Sequence, residues 1–417
     1  MKLSKYSGRP VANSRRWGQL SLISLAGLLV ATLLSACQLV TIDYLFVSGT
    51  FKTSQGADVG AIQVFAVDSQ SGALRFAAGT DSKPFATGGL SPVAMVVSSD
   101  FANLYVAVAD NNTVVHFAVA SDGTLTKKDS VSLAAPPTAL AINTAGKYLY
   151  VVSGRTTATL TEYPLSSGTI GSATAQQSMV IPGFPGDTVV PTGVIALANN
   201  NAVMATMYDK SAYNPGGVVT SDAHPGWVFS YTVGSGGALT PSGPYQAGVK
   251  PSGLAADPTD RFVYVTDYAS DELIGYGITN TSTLNFLITG PYRTGSEPSA
   301  VSLDPRGKYI YVSNALDSTV TAYAIDLATG IPSQVINTVG NQSNVTDTQP
   351  VAITVEPALG RFVYTANLLG NSVSGFQLNP NTGALSSTQA TPYPTESKPL
   401  AVALVPHGNH SLQETTP

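Results

Sequence analysis

Three columns of residues recur along this 417-residue chain, and a chain built from repeats must either close into a ring or end in caps. The first column is a proline that opens an apolar run: Pro92, Pro137, Pro191, Pro251, Pro298, Pro350 and Pro399, as in P-T-A-L-A-I, P-S-G-L-A-A and P-V-A-I-T-V. The second lies 13 residues on, at Tyr105, Tyr150, Met204, Tyr264 and Tyr311, and 14 on at Tyr364. The third is an aromatic with an aliphatic two places later: Phe65, Phe117, Tyr163, Tyr231, Tyr276, Tyr323 and Phe376. Each run is short, rich in Val, Ile, Tyr and Thr, and bounded by Gly, Pro, Asp or Asn, which are strand signals. Polar turns such as Ser121-Asp122-Gly123, Asp326 to Gly330 and Asn379 to Gly383 follow third-column strands. The residues before the next proline supply a fourth strand. Four antiparallel strands repeated seven times predict an all-β, seven-bladed β-propeller. The chain enters on a second-column strand, Tyr44 to Gly49, and leaves on an orphan first-column strand, Pro399 to Val405. The C-terminal strand is therefore expected to complete the blade that the N-terminal strand begins, so that 44–405 closes as one ring. An open solenoid would instead need caps at both ends.

The segment ahead of the repeats reads as an address. Lys2, Lys5, Arg9, Arg15 and Arg16 precede the uncharged run Leu20 to Leu34. A run of about 15 residues falls short of the roughly 20 that span a bilayer, and a basic segment, an apolar run and then small residues describe a secretory signal over 1–36. Leu34-Ser35-Ala36-Cys37 resembles the lipobox of bacterial lipoproteins. That resemblance implies lipid attachment at Cys37, a short tether over 37–43, and a membrane as partner; the alternative is an ordinary cleavage site beside a free cysteine. More than one acyl chain anchors stably where one is marginal. Gln38 stands where an aspartate retains such proteins at an inner membrane, so the expected location is the cell envelope, on the outer membrane. The lone cysteine excludes an internal disulfide framework, and a net charge of −5 without a basic stripe excludes nucleic acid as a partner.

With strands lettered A to D from the proline column, antiparallel order puts A–B and C–D turns on one face and B–C turns and D–A links on the other. A–B spacing is nearly constant. B–C spacing reaches 19 residues from Phe46 to Phe65 and 27 from Met204 to Tyr231. Length variation thus concentrates on the B–C/D–A face, and loops on a rigid scaffold carry function. The candidate site is placed there. The longest loop, Asp209 to Pro225, brings Asp209, Lys210, Tyr213, Asp222 and His224 to one rim. His224 with a carboxylate partner such as Asp209 has the chemistry of a general base; a solvated loop is the alternative. Arg155 offers a guanidinium for an oxyanion, and Lys250, Arg293 and Glu297 fall on the same face as ligand-binding candidates. Asp110, Asp209, Asp267, Asn314 and Asn367 end the B strands and read as turn residues bonding their own backbone. His116 lies within a strand, while His407 and His410 belong to a polar tail over 406–417. No histidine set has metal spacing, and no metal or cofactor is expected. G-x-S-x-G, G-x-x-x-x-G-K-[ST], H-E-x-x-H and G-x-G-x-x-G are all missing, which excludes the matching chemistries.

The strand pairs Pro251 to Asp267 (P-S-G-L-A-A-D-P-T-D-R-F-V-Y-V-T-D), Pro298 to Asn314 and Pro350 to Asn367 carry a family resemblance, as do D-L-A-T-G-I at Asp326 to Ile331 and N-P-N-T-G-A-L at Asn379 to Leu385. Over Tyr44 to Val405 the chain resembles the seven-bladed lactonase family, named for 6-phosphogluconolactonase, and the Y-V-T-N repeat proteins of microbial surfaces. The resemblance implies a hydrolase that opens a small, sugar-type lactone, and the chain is expected to be a monomer. Family lactonases carry a G-P-R-H-type motif before strand A; here the matching places read S-P-V-A, P-P-T-A, K-P-S-G and E-P-S-A. No catalytic residue is therefore transferred. Beside the lactonase stand a non-catalytic propeller that binds a ligand or an envelope protein, and a surface-structural protein. The diverging loop lengths disfavour the last.

Overall fold

A computed structural model describes residues 40–52, 56–77, 83–211, 226–337, 339–413 and 415. Seven antiparallel sheets follow one another in the order A-B-C-D, as the three columns predict. Blade 2 is the plainest: A is Pro92–Val97, B Asn103–Val108, C Thr113–Val119 and D Leu125–Ser132. In the other six, strand D is interrupted, and two short pieces pair with opposite ends of strand C. In blade 5, C (Glu272–Thr279) pairs with Thr283–Phe286 at one end and Tyr292–Arg293 at the other.

The ring closes between the chain's ends. Strand A of blade 1, Ser397–Pro406, pairs antiparallel with strand B, Thr41–Lys52, from Asp43↔Pro406 to Phe51↔Ser397. Both strands are longer than the sequence suggests. The segment read as a polar tail also differs: Pro406 is the last residue of strand A, Gly408–Leu412 forms a 3-10 turn, and His410 is buried. Thr415 N–H donates to the Ala358 carbonyl on blade 7, so this segment folds back onto the ring.

Each column has a physical reason. The prolines start strand A in blades 2, 3, 5, 6 and 7 and stand third in it in blades 1 and 4, and the register slips one residue after them at Pro92, Pro191, Pro251, Pro298 and Pro350. A strand start beside a bulge is where a residue without an N–H costs no ladder bond. The bulged serines then link blades: Ser252 and Ser299 donate to the carbonyls of Pro298 and Pro350. Second-column tyrosines reach the next blade. Tyr105, Tyr264, Tyr311 and Tyr364 donate to the carbonyls of Gly168, Gly330, Gly383 and Gly72, each in the C–D turn of the neighbour, at 2.6 to 2.9 Å. Gly330 sits at φ +76°, and an added Cβ there would lie 2.3 Å from the Phe262 ring, so the turn needs glycine both for its left-handed backbone and for the close approach. Third-column Tyr276 and Tyr323 donate the other way, to the carbonyls of Gln246 and Arg293 on the preceding blade. Apolar side chains fill the space between, as with Phe262, Tyr264 and Leu273 against Ile310, Val312 and Tyr323.

Tyr264→Phe keeps the ring but leaves the buried Gly330 carbonyl without its donor. Removal of one partner from a buried pair costs about 1–3 kcal/mol. Denaturant titration should show a loss of that size with an unchanged slope.

Candidate active site

The loop-rich face gathers part of the expected set. Lys250 and Glu297 occupy equivalent places, each the last residue of a D–A link, ahead of strand A of blade 5 (Pro251–Ala256) and of blade 6 (Pro298–Leu303). Lys250 is half-buried, with its ammonium 3.8 Å from the centre of the Tyr268 ring and 5.8 Å from that of Tyr208. Tyr268 in turn donates its hydroxyl to Glu297 Oε2 at 2.5 Å. One tyrosine therefore touches a cation with its face and a carboxylate with its edge. Burial lowers the Lys250 pKa from the ordinary lysine range, and the charges of Glu297 and Asp267 partly oppose that shift. Glu297 holds φ +55°, a backbone strain tolerated because its N–H donates to Asp271 Oδ1 at 2.7 Å and its carbonyl accepts from Ala315 N–H at 2.8 Å.

The other candidates divide. Arg155 is exposed on the B–C turn of blade 3, between Tyr148–Ser153 and Ala158–Ser166. Arg293 lies in the second piece of strand D of blade 5, at the outer edge of the sheet, and pairs with Glu272. Lys210 is exposed. Asp209 ends strand B of blade 4 (Ala202–Asp209) and is almost fully buried, its Oδ1 accepting from the N–H and hydroxyl of Ser211, both at 2.8 Å. A carboxylate so held starts the loop. Tyr213, Asp222 and His224 lie outside the described residues.

Sequence reasoning missed Tyr208 and Tyr268, although a signal existed. They flank the Asp column at places where other blades carry Ala109, Asn111, Ala315 or Leu368. The Asp/Asn column itself is structural, with a wider reach than an own-turn reading allows. Asp110 accepts from Leu90 and Ser91 N–H, Asp267 from Val249 and Lys250 N–H, and Asn314 from Gly295 N–H. In blades 2, 5 and 6 these side chains clamp the D–A link to the B strand that follows it. Asp267 thereby fixes the backbone of Lys250.

A cleft of about 810 Å³ lies on the opposite, tight-turn face between blades 2 and 3. His116 on its wall has both ring nitrogens occupied, Nδ1 by Asp129 Oδ1 and Nε2 by Asn103 Oδ1, each at 2.8 Å. Size alone marks this cleft, whereas the loop-rich face joins a desolvated cation, a carboxylate and two aromatic rings. The tight-turn face also assembles what linear spacing does not show: one ligand atom from each of Asp43, Glu356 and His410 lies within 4.8 Å of the others. Ring closure brings residues from both ends of the chain together there.

A closed ring of seven antiparallel blades defines a seven-bladed β-propeller, a fold that hosts many functions. The family model "Lactonase, 7-bladed beta-propeller" matches residues 56–183 and 232–410, and the chain belongs to that family. The unmatched stretch between them holds most of blade 4 and the long loop. No curated protein matches the chain. Among solved structures it is similar to the periplasmic gluconolactonase PpgL of Pseudomonas aeruginosa, at 19% identity and TM-score 0.67, over 88% of this chain and 99% of that one. A candidate 6-phosphogluconolactonase of Bacteroides fragilis gives 17% identity and TM-score 0.68, over 88% and 98%. The hydrazine synthase of Kuenenia stuttgartiensis gives 15% and 0.54, over 79% and 96%. Likenesses this remote establish the fold alone.

Proposed function

We propose that this chain is a cell-envelope lactonase, anchored through lipid on Cys37, that opens a small lactone on its loop-rich face. The observation that carries the reading is the Lys250–Tyr268–Glu297 arrangement inside a lactonase-family ring. Lactone opening places negative charge on the carbonyl oxygen as water adds, and a half-buried ammonium stabilises such charge better than a solvated one. Glu297 is the carboxylate placed to receive the proton of that water, with Tyr268 holding it in position. The substrate is uncharged or singly charged and sugar-sized. A phosphorylated lactone is disfavoured, because Lys250 stands among carboxylates rather than in a cluster of cations.

The test is acid release at constant pH from a lactone panel, run on membranes carrying the full chain and on the Cys37→Ser form. Turnover that sediments with membranes in the parent and becomes soluble in Cys37→Ser is the expected result. No turnover on any lactone by a cooperatively melting protein moves the assignment to a binding propeller, which the missing G-P-R-H-type motif favours. Turnover that stays membrane-bound in Cys37→Ser removes the lipid anchor but not the lactonase.

A further inference from the structure

We propose that Asp43, Glu356 and His410 form a binding site for one divalent transition-metal ion, zinc foremost, that staples the propeller where its ring closes. The three residues come from separate elements: the start of strand B of blade 1, the turn after strand A of blade 7 (Pro350–Val355), and the 3-10 turn Gly408–Leu412. All three are buried. His410 Nε2 lies 3.1 Å from Glu356 Oε1 and 3.5 Å from Asp43 Oδ1. Donors held tetrahedrally at the usual zinc distances stand about 3.4 Å apart, and these two separations lie close to that value.

The surrounding groups match a metal's requirements. His410 Nδ1 is 2.8 Å from Gln413 Oε1, an amide oxygen that only accepts, so Nδ1 carries the proton and Nε2 faces the carboxylates. A second ring nitrogen fixed in this way is the outer-shell pattern of metal-bound histidines. Glu356 Oε1 accepts from the N–H groups of Ala358 and Leu359 and Oε2 from those of Leu359 and Arg361, which fix its carboxylate facing His410. Asp43 is the independent pointer. Its side chain is fully buried, and among the described residues neither carboxylate oxygen has a hydrogen-bond partner. A buried carboxylate without donors is costly. A proton would neutralise Asp43 yet leave an oxygen without a partner, whereas a cation satisfies both carboxylates and the imidazole at once.

Departure from the repeat points the same way. The residue six after the strand A proline is Asn143, Asp257 or Asp304 in other blades, and each caps its own turn; Asp257 and Asp304 also pair with Arg261 and Arg306. Blade 7 has Glu356 there, one methylene longer and facing His410. The residue three before the second column is basic in four blades: Lys147, Arg261, Lys308 and Arg361. Blade 1 has Asp43 instead. An acid in a basic column, opposite a lengthened acid and a histidine, is the composition of a cation site. This site lies on the tight-turn face and does not depend on the lactonase reading.

The test uses the full chain, stripped with chelator and titrated with zinc chloride or cobalt(II) alone. One equivalent should bind, cobalt should give visible absorption of four- or five-coordinate ions, and the melting midpoint should rise with the logarithm of free metal. Asp43→Asn should abolish uptake while melting, without metal, at or above the parent midpoint, since it removes the buried charge; this keeps loss of binding distinct from loss of fold. His410→Gln should also lose uptake. Binding that both variants retain places the metal elsewhere and overturns the proposal. A midpoint indifferent to metal and chelator overturns it too, and assigns the cluster to an imidazolium held between carboxylates.

Discussion

A chain that stops before Ser397 is expected to give no cooperative melt and to aggregate on expression. The strand it loses pairs with Thr41–Lys52 along its length, and Ala401, Ala403, Leu404 and Val405 are buried against neighbouring blades. Burial of one aliphatic side chain is worth about 1.5–3 kcal/mol, and a folded domain has only about 5–15 kcal/mol in all. The loss is also topological. Strand B of blade 1 would become an open edge beside a gap in the ring, and exposed edges recruit other chains. Strand deletion alone does not separate closure from lost area, so a rearranged chain completes the test. Placing 397–406 directly ahead of Thr41, through a five-residue turn like 257–261, rebuilds the blade from a single terminus. That permutant should melt cooperatively. A cooperative melt of the truncated chain would show that six blades and an open seventh suffice, and the closure argument would fall.

The parts of this fold legible in the sequence are those that packing repeats. Proline, tyrosine and aromatic columns recur because each blade must solve the same contact with its neighbour, and Tyr264 to Gly330 is one such solution. The breaks in strand D were not legible. Pieces as short as Tyr292–Arg293 have no period to detect, and their pairing is imposed by strand C. At the candidate site, Lys250 and Glu297 could be placed on the loop-rich face because their position beside the column prolines is fixed by spacing. Their joint partner Tyr268 could not, since that contact depends on the angle between two blades. The Asp43–His410 contact was the least accessible of all. It joins residues at opposite ends of the repeat, and only ring closure makes them neighbours.

Lys250→Met is the substitution with the largest expected effect on turnover. Methionine keeps most of the aliphatic stem over Tyr268 and removes only the charge. Loss of one preorganised group at a developing oxyanion costs about 10²–10³-fold in kcat. The effect should fall on kcat more than on KM, because the charge it answers exists only in the transition state. Stability should move the other way. The Lys250 pKa is lowered by burial, so the folded state holds its proton less tightly than the unfolded chain does, and removing the ammonium should leave the melting midpoint unchanged or higher. The same shift fixes the pH dependence. Turnover needs the charged amine and should fall as pH rises through a value below the ordinary lysine pKa. Lys250→Arg should retain activity and lose that alkaline limb, since a guanidinium does not titrate there. Lys147→Met, exposed on the opposite face, is the matched control and should alter neither. A Lys250→Met protein that turns over within twofold of the parent removes the ammonium from the mechanism. The acid–base work would then pass to the long loop of blade 4, where His224→Ala is the next variant to measure.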